Sequence, residues 1–417
     1  MEKKSDKTHG PARASVHGDP ICVQEHGDAI CALVGARIHP AEGRTLRKGV
    51  LVWRRGKILA IGEMGKTEIP PGAEEIDGEG LTVTPGLIDA HTHIGILEEV
   101  YGFEGDDVNE MGDSAVTPEL RAVDGINPCD RAFGDALSGG VTTVMVAPGS
   151  ANVIGGSVCL LKTAGPDLEH MLIDPEAGVK AAFGENPKRV YAEQKKLPTT
   201  RMAIASLLRQ ALIDAQDYAL KQEKATEDGD IHERNLGLEL LCRLLRREIP
   251  LRAHAHRADD IHTAIRIAGE FGLRLILEHG TEADLVIPAL LKGNIPVVVG
   301  PSFSSRTKVE MEHVGWQTVK ALTDAGVLVS LMTDHSETPI QYLSLCAAMA
   351  VRSGLTWEQA LRTITINPAK ILGLDQRLGS LKVGKDADFA VFDGDPFHYR
   401  SRCVATYIEG RRVWVLP

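Results

Sequence analysis

Apolar positions along this chain fall into two textures. From "AICALVGARIHP" through "GVLVWRRGKILAIGE" short β-rich runs are broken by Gly, Pro and charged turns, the pattern of a small antiparallel sheet. The far C-terminus, "DADFAVFDGDP" and "VATYIEGRRVWVLP", repeats it. Both ends are therefore expected to build one small β-sandwich domain together, from residues 28–82 and 376–417. The middle, residues 83–375, changes character. Eight apolar runs rich in β-branched residues alternate there with helical stretches: "LTVTPGLIDAH", "GVTTVMVAPGS", "SVCLLKTAG", "AGVKAAFGE", "IPLRAHAH", "LRLILEHG", "IPVVVGPS" and "VLVSLMTDH". Such continuous strands suit a parallel sheet buried on both faces, and eight of them predict an α/β fold, a (β/α)8 TIM-like barrel. An open doubly wound sheet is the alternative, but no G-x-G-x-x-G fingerprint opens the first unit. Between Arg201 and Glu248 a helical stripe of Leu207, Leu208, Ala211, Leu212 and Ala215 is expected to pack on the barrel.

Residues 1–27 are polar and lack periodicity, so they are expected to form a disordered extension. An apolar fraction of 43% is enough for a core, while 42 Gly and 21 Pro suit many tight connections. The formal charge of -11 and the lack of any dense Lys/Arg tract disfavour a nucleic-acid partner. No apolar run is long enough for a membrane span. Seven scattered cysteines, never in a C-x-x-C pair, read as reduced thiols of a cytoplasmic protein. A homo-oligomer is compatible with the chain, but no heptad seam demands one.

In a barrel of this kind chemistry gathers where strands end. The first run ends in His91-Thr92-His93, the fifth in His254-Ala255-His256, the sixth in Glu278-His279 and the eighth in Asp334-His335. Alternate residues of a strand face the same way, so His91 and His93 can grip one ion. Imidazole and carboxylate donors suit Zn²⁺, and Mn²⁺, Fe²⁺ or Co²⁺ accept the same set, as one ion or two.

These motifs resemble those of the metal-dependent amidohydrolase superfamily, with the nearest likeness to its imidazolonepropionase-like branch. "PGLIDAHTH" is similar to its first-strand H-x-H, "RAHAH" and "LEHG" to its fifth- and sixth-strand histidines, and "MTDH" to its eighth-strand Asp. The resemblance implies that His91, His93 and Asp334 bind the more buried metal and that His254 and His279 hold a second, or that one of them completes a mononuclear site. Asp334 would be the general base, with His279 beside it at the catalytic centre. It also implies an anionic bridge between two metals, a Glu or a carboxylated Lys, for which Glu185 is the first candidate, Lys180 the second and Lys162 the third. His256, Arg306, Lys188, Arg189 and His335 are candidates for contact with a small substrate, and a cation at the mouth would suit a carboxylate on it. Lys308 lies in the same loop as Arg306. The expected activity is hydrolysis of a carbon–nitrogen bond outside ordinary peptides, in a cyclic amide, N-acyl group, dipeptide or amidine. A heterocycle deaminase and an inactive scaffold of the same fold are the alternatives.

Overall fold

The structure, a computed structural model, describes residues 29–231 and 233–417; the extension expected over 1–27, and Cys22 with it, lie outside them. The chain opens with β1 (Cys31–Ile38), β2 (Leu46–Arg54), β3 (Lys57–Glu63), β4 (Glu74–Asp77) and β5 (Thr82–Pro85). The middle supplies β6 (Leu87–Thr92), β7 (Val141–Val146), β8 (Ile154–Lys162), β9 (Leu172–Ala182), β10 (Leu251–Ala255), β11 (Leu275–His279), β12 (Val297–Val299) and β13 (Val329–Leu331). The end adds β14 (Phe389–Phe392), β15 (Cys403–Ile408) and β16 (Arg411–Val415).

Strands from both ends do share one sheet, in the order β16-β15-β14-β5-β1-β2-β3, with β4 also paired to β1. It is mixed rather than purely antiparallel, because β4 and β5 run parallel to β1. Its core is aromatic: Phe389 stacks on Tyr407 at 4.3 Å and Trp53 meets Phe389 edge-on at 5.1 Å. Trp53 Nε1 donates to the Gly410 carbonyl at 3.0 Å. A Cβ at Gly410 would sit 2.4 Å from the Trp53 ring, so only glycine allows this approach.

The eight middle strands form the barrel, in the order β6 to β13. Seven run one way. The third, β8, is antiparallel to both β7 and β9, which corrects the expectation of eight parallel strands. The reason is the connection Ala147–Val153, far shorter than the dozen or so residues a parallel crossover needs. No regular ladder joins β6 to β13 among the described residues. Instead the buried Asp89 carboxylate bridges the seam, accepting from the Thr333 backbone N–H at 3.1 Å and its hydroxyl at 2.5 Å. The helix Ile366–Ile371 plugs the barrel floor, with Ile371 packed against Ala90, Ile276, Val298 and Met332. The helix Arg201–Asp228 buries Leu208, Ala211, Leu212 and Ala215, as its stripe predicts. The six cysteines among the described residues are free thiols. No described helix is long and apolar enough to cross a membrane.

His39, just past β1, ties the small sheet to the barrel. Its ring lies 4.1 Å from that of Trp357, and it bonds the Thr45 hydroxyl at 3.0 Å. Burial, helped by the charge of Arg37, pushes its pKa down to about 4. The folded state thus binds fewer protons here than the unfolded chain, whose His titrates near 6.5. The stabilising effect is complete above about pH 6.5 and is lost as pH falls towards 4. A series of thermal melts should show His39→Phe, which keeps the ring contact, losing less Tm than wild type across that window; equal losses would remove His39 from the acid response.

Candidate metal centre at the barrel mouth

Four strand ends place polar residues at one mouth. His91 lies in β6 and His93 just past it; His254 lies in β10 with His256 beyond; His279 ends β11 and Asp334 follows β13. His279 and Asp334 both adopt left-handed backbone angles, φ 69 and φ 54. That conformation costs a residue with a Cβ roughly 1–2 kcal/mol, offset by the surrounding packing. His91, His279 and Asp334 offer donor atoms within 4.8 Å of one another, and so do His254, His256 and His279.

Hydrogen-bond accounting shows which atoms face inward. His93 Nδ1 bonds the Ala147 carbonyl at 2.7 Å, and His279 Nδ1 the Gly300 carbonyl at 3.0 Å. In each ring Nδ1 must then carry the proton, leaving Nε2 an acceptor. His91 Nδ1 lies 2.9 Å from Glu278 Oε2, an ion-pair contact off the line of a hydrogen bond. The Nε2 atoms of His91 and His93 approach Asp334 Oδ1 to 3.2 and 3.3 Å. Asp334 Oδ1, His254 Nδ1 and His279 Nε2 are buried without a hydrogen-bond partner. Acceptors crowded this closely repel one another unless a cation lies between them. The spacing also suits donors about 2.0–2.1 Å from one ion in a tetrahedral arrangement.

Protonation agrees. Burial and neighbouring imidazoles hold His254 and His279 well below the usual histidine range, so both are neutral. Burial pushes His256 down to about 3. Burial alone would raise Asp334, but the imidazoles around it, His279 first and then His91, whose own shift is towards the protonated form, hold it well below the carboxylate range. Neutral imidazole and ionised carboxylate are the metal-binding forms. For His91, burial is outweighed by Glu278, and the net shift is upward.

Beneath the histidines lies a buried charged layer in which the sequence alone offered Lys180 as a bridge and left Glu278 and Arg252 without a role. Glu278 accepts from Arg252 Nε at 2.7 Å and from Lys180 Nζ at 3.1 Å. Burial opposes ionisation of Glu278, yet His91, Lys180 and Arg252 hold its carboxyl well below the usual range. Lys180 Nζ is also 3.4 Å from His91 Nε2. The available signal was period two: Arg252, His254 and His256 share one face, and Lys180 is the register partner of Arg252 on β9.

The other candidates separate cleanly. A cavity of about 210 Å³ is lined by His93, Lys180, His254, His256, His279 and Asp334 together with Lys308 and Asn186. Glu185, Arg306, Lys188, Arg189 and His335 are not among its lining residues. Glu185 starts the helix Glu185–Glu193, and its backbone N–H donates to Glu310 at 2.9 Å. Arg306 is exposed and donates to the Glu312 carbonyl at 2.8 Å. His335 turns away, accepting from the Ile340 N–H, while its carbonyl receives the His93 N–H at 2.9 Å. Lys162 lies at the opposite end of the barrel, because β8 is reversed, and is paired with Asp388 and Asp386. Glu310, buried 3.9 Å from His256 and 4.0 Å from His254, is a further residue the sequence did not single out.

Fold and cluster together define a class: (β/α)8-type barrel proteins whose mouth is equipped to hold a divalent cation. A profile of the Amidohydrolase family matches residues 82–413, and the chain belongs to that family. The crystal structure of an amidohydrolase from Thermotoga maritima MSB8 superposes with a TM-score of 0.90 at 43% identity, covering 93% of this chain and all of that one. Amidohydrolase tasK of Hapsidospora irregularis is 32% identical over 87% of this chain, which spans only 39% of that relative's length. Imidazolonepropionase of Fusobacterium nucleatum is 26% identical over 84% of this chain and 86% of its own length. The likeness within the family is to the imidazolonepropionase branch.

Proposed function

We propose that this chain is a metal-dependent hydrolase of carbon–nitrogen bonds in small molecules rather than ordinary peptides. The observation that carries the reading is Asp334 Oδ1, held without a hydrogen-bond partner 3.2–3.3 Å from two imidazole nitrogens. His91, His93 and Asp334 would hold one divalent metal, with His254 Nδ1 and His279 Nε2 facing a second. When bound, such a metal lowers the pKa of water to about 7 and polarises the carbon under attack. Asp334 takes the proton of the attacking water and delivers it to the leaving nitrogen. His279, with Nδ1 fixed on Gly300, keeps an unprotonated Nε2 towards the same point. If an anion bridges two metals, Lys180 would be the better placed candidate once its Nζ is carboxylated to a carbamate, since it lines the cavity and Glu185 does not. Zn²⁺ fits the donors best, and the named imidazolonepropionase relatives make a cyclic amide the first class to test.

The test begins with metal analysis of the purified protein, followed by a panel of cyclic amides, N-acyl amino acids, dipeptides and aminated heterocycles. Turnover should fall at least 100-fold after treatment with a chelator and return with Zn²⁺ or Mn²⁺. A protein without bound transition metal that stays inert after metal addition would overturn the reading. Ammonia release confined to the heterocycles would convert it to a deaminase.

A further inference from the structure

Negative and positive charge are divided unequally around the cavity. Its acidic lining residues, Asp334 and the exposed Glu337, both come from the segment after β13. Its cations among the described residues, histidines aside, are Lys180 and Lys308. Lys180 is deep, and Glu278 occupies it at 3.1 Å. Lys308, from the segment after β12, stands in the wall with its side chain 18% exposed.

What surrounds Lys308 fixes its direction. Its Nζ donates to Asn186 Oδ1 at 2.8 Å and contacts Glu310 Oε1 at 3.4 Å. These are its two acceptors among the described residues, so one of its three N–H bonds is left over. Glu310 does not line the cavity, and its other oxygen is engaged by the Glu185 backbone N–H. Asn186 in turn donates to Ser150 Oγ at 2.7 Å, and its Nδ2 lies 3.4 Å from His254 Nε2. A single side-chain amide therefore separates the ammonium from the histidine cluster. Ser150 and Asn186 line the same cavity and add polar groups beside the charge.

We infer that Lys308, set beside Asn186 and Ser150, is the seat for a carboxylate on the substrate. This rests on the hydrolase reading above and narrows it: the substrate is a small acid whose carboxylate lies a few bonds from the carbon–nitrogen bond that is cut. Its other end is directed towards Asp334. A charge-assisted hydrogen bond in a partly dry pocket discriminates acid from neutral analogue by one to two orders of magnitude.

Two measurements on the zinc-loaded protein test the seat. The first uses pairs of C–N substrates differing only in a free carboxylate against its primary amide. Wild type should prefer the acid at least tenfold in kcat/KM. Lys308→Met should cut kcat/KM for the acid at least 30-fold, mainly through KM, and shrink the preference to within about threefold, while Lys308→Arg restores part of it. The second is calorimetric titration with glutarate against neutral pentane-1,5-diol. Glutarate should bind at least tenfold tighter than the diol, and Lys308→Met should remove that difference with the Tm unchanged within a few degrees. Lys308→Gln serves as the replacement if the methionine variant does not fold. Glutarate bound equally by wild type and variant, or no better than the diol, overturns the seat. Lys308-dependent glutarate binding without turnover of any C–N substrate would sink the hydrolase reading and leave the seat standing. Turnover indifferent to Lys308 would do the reverse.

Discussion

Asp334→Asn should lower kcat by at least about 1,000-fold while leaving most of the bound metal in place. The side-chain amide keeps an oxygen donor 3.2–3.3 Å from the His91 and His93 nitrogens, but it cannot accept the proton of the attacking water. Metal content by elemental analysis and turnover on the best panel substrate separate the roles. A variant with near wild-type kcat removes Asp334 from proton transfer. Parallel loss of metal and activity reduces it to a ligand. Because the aspartate holds a left-handed backbone, the same substitution should barely move Tm: Asn tolerates φ 54 as readily as Asp.

The second large effect is expected at Glu278, which touches no substrate. Its side chain is fully buried, with Arg252, Lys180 and His91 on its two oxygens. Glu278→Gln removes the one negative charge that compensates two buried cations. Breaking a buried pair from one side costs about 3–5 kcal/mol, because the remaining charge is left without water or partner. His91 also loses the group that favours a proton on Nδ1, so metal affinity should fall by about 10- to 100-fold. Urea unfolding and metal stoichiometry give the two readouts. Adding Arg252→Met to Glu278→Gln should recover part of the lost stability, with a coupling above about 1 kcal/mol. Strict additivity would mean that the two groups do not depend on each other.

How much of this was legible beforehand differs from residue to residue. The histidines and Asp334 stand out in the sequence because polar residues closing apolar runs have no reason to be there in a buried sheet. The barrel and the shared terminal sheet follow from the same hydrophobic pattern. The orientation of β8 was also readable in principle, since Ala147–Val153 is too short for a crossover, but run counting alone passes over it. Lys180 and Glu185 illustrate the limit. Both lie near the end of one run, and which of them meets the cavity depends on pairing with β10, where Lys180 sits opposite Arg252. That pairing joins segments far apart in sequence. Lys308 was one of several basic residues near the mouth, and only the fold distinguishes it from Arg306, two positions earlier and facing out.

The reversed strand bears on how such a pocket can diversify. Ala147–Val153 hangs between two barrel strands, clamped at both ends, and it carries Ser150 into the cavity with Gly149 pressed against Asn109. Most rim segments instead lead from a strand into a helix and can lengthen without disturbing the staves. Insertions that retune substrate choice should therefore accumulate in the long excursion after β6, and this short clasp should resist them, acting as the fixed jaw against which the variable ones close.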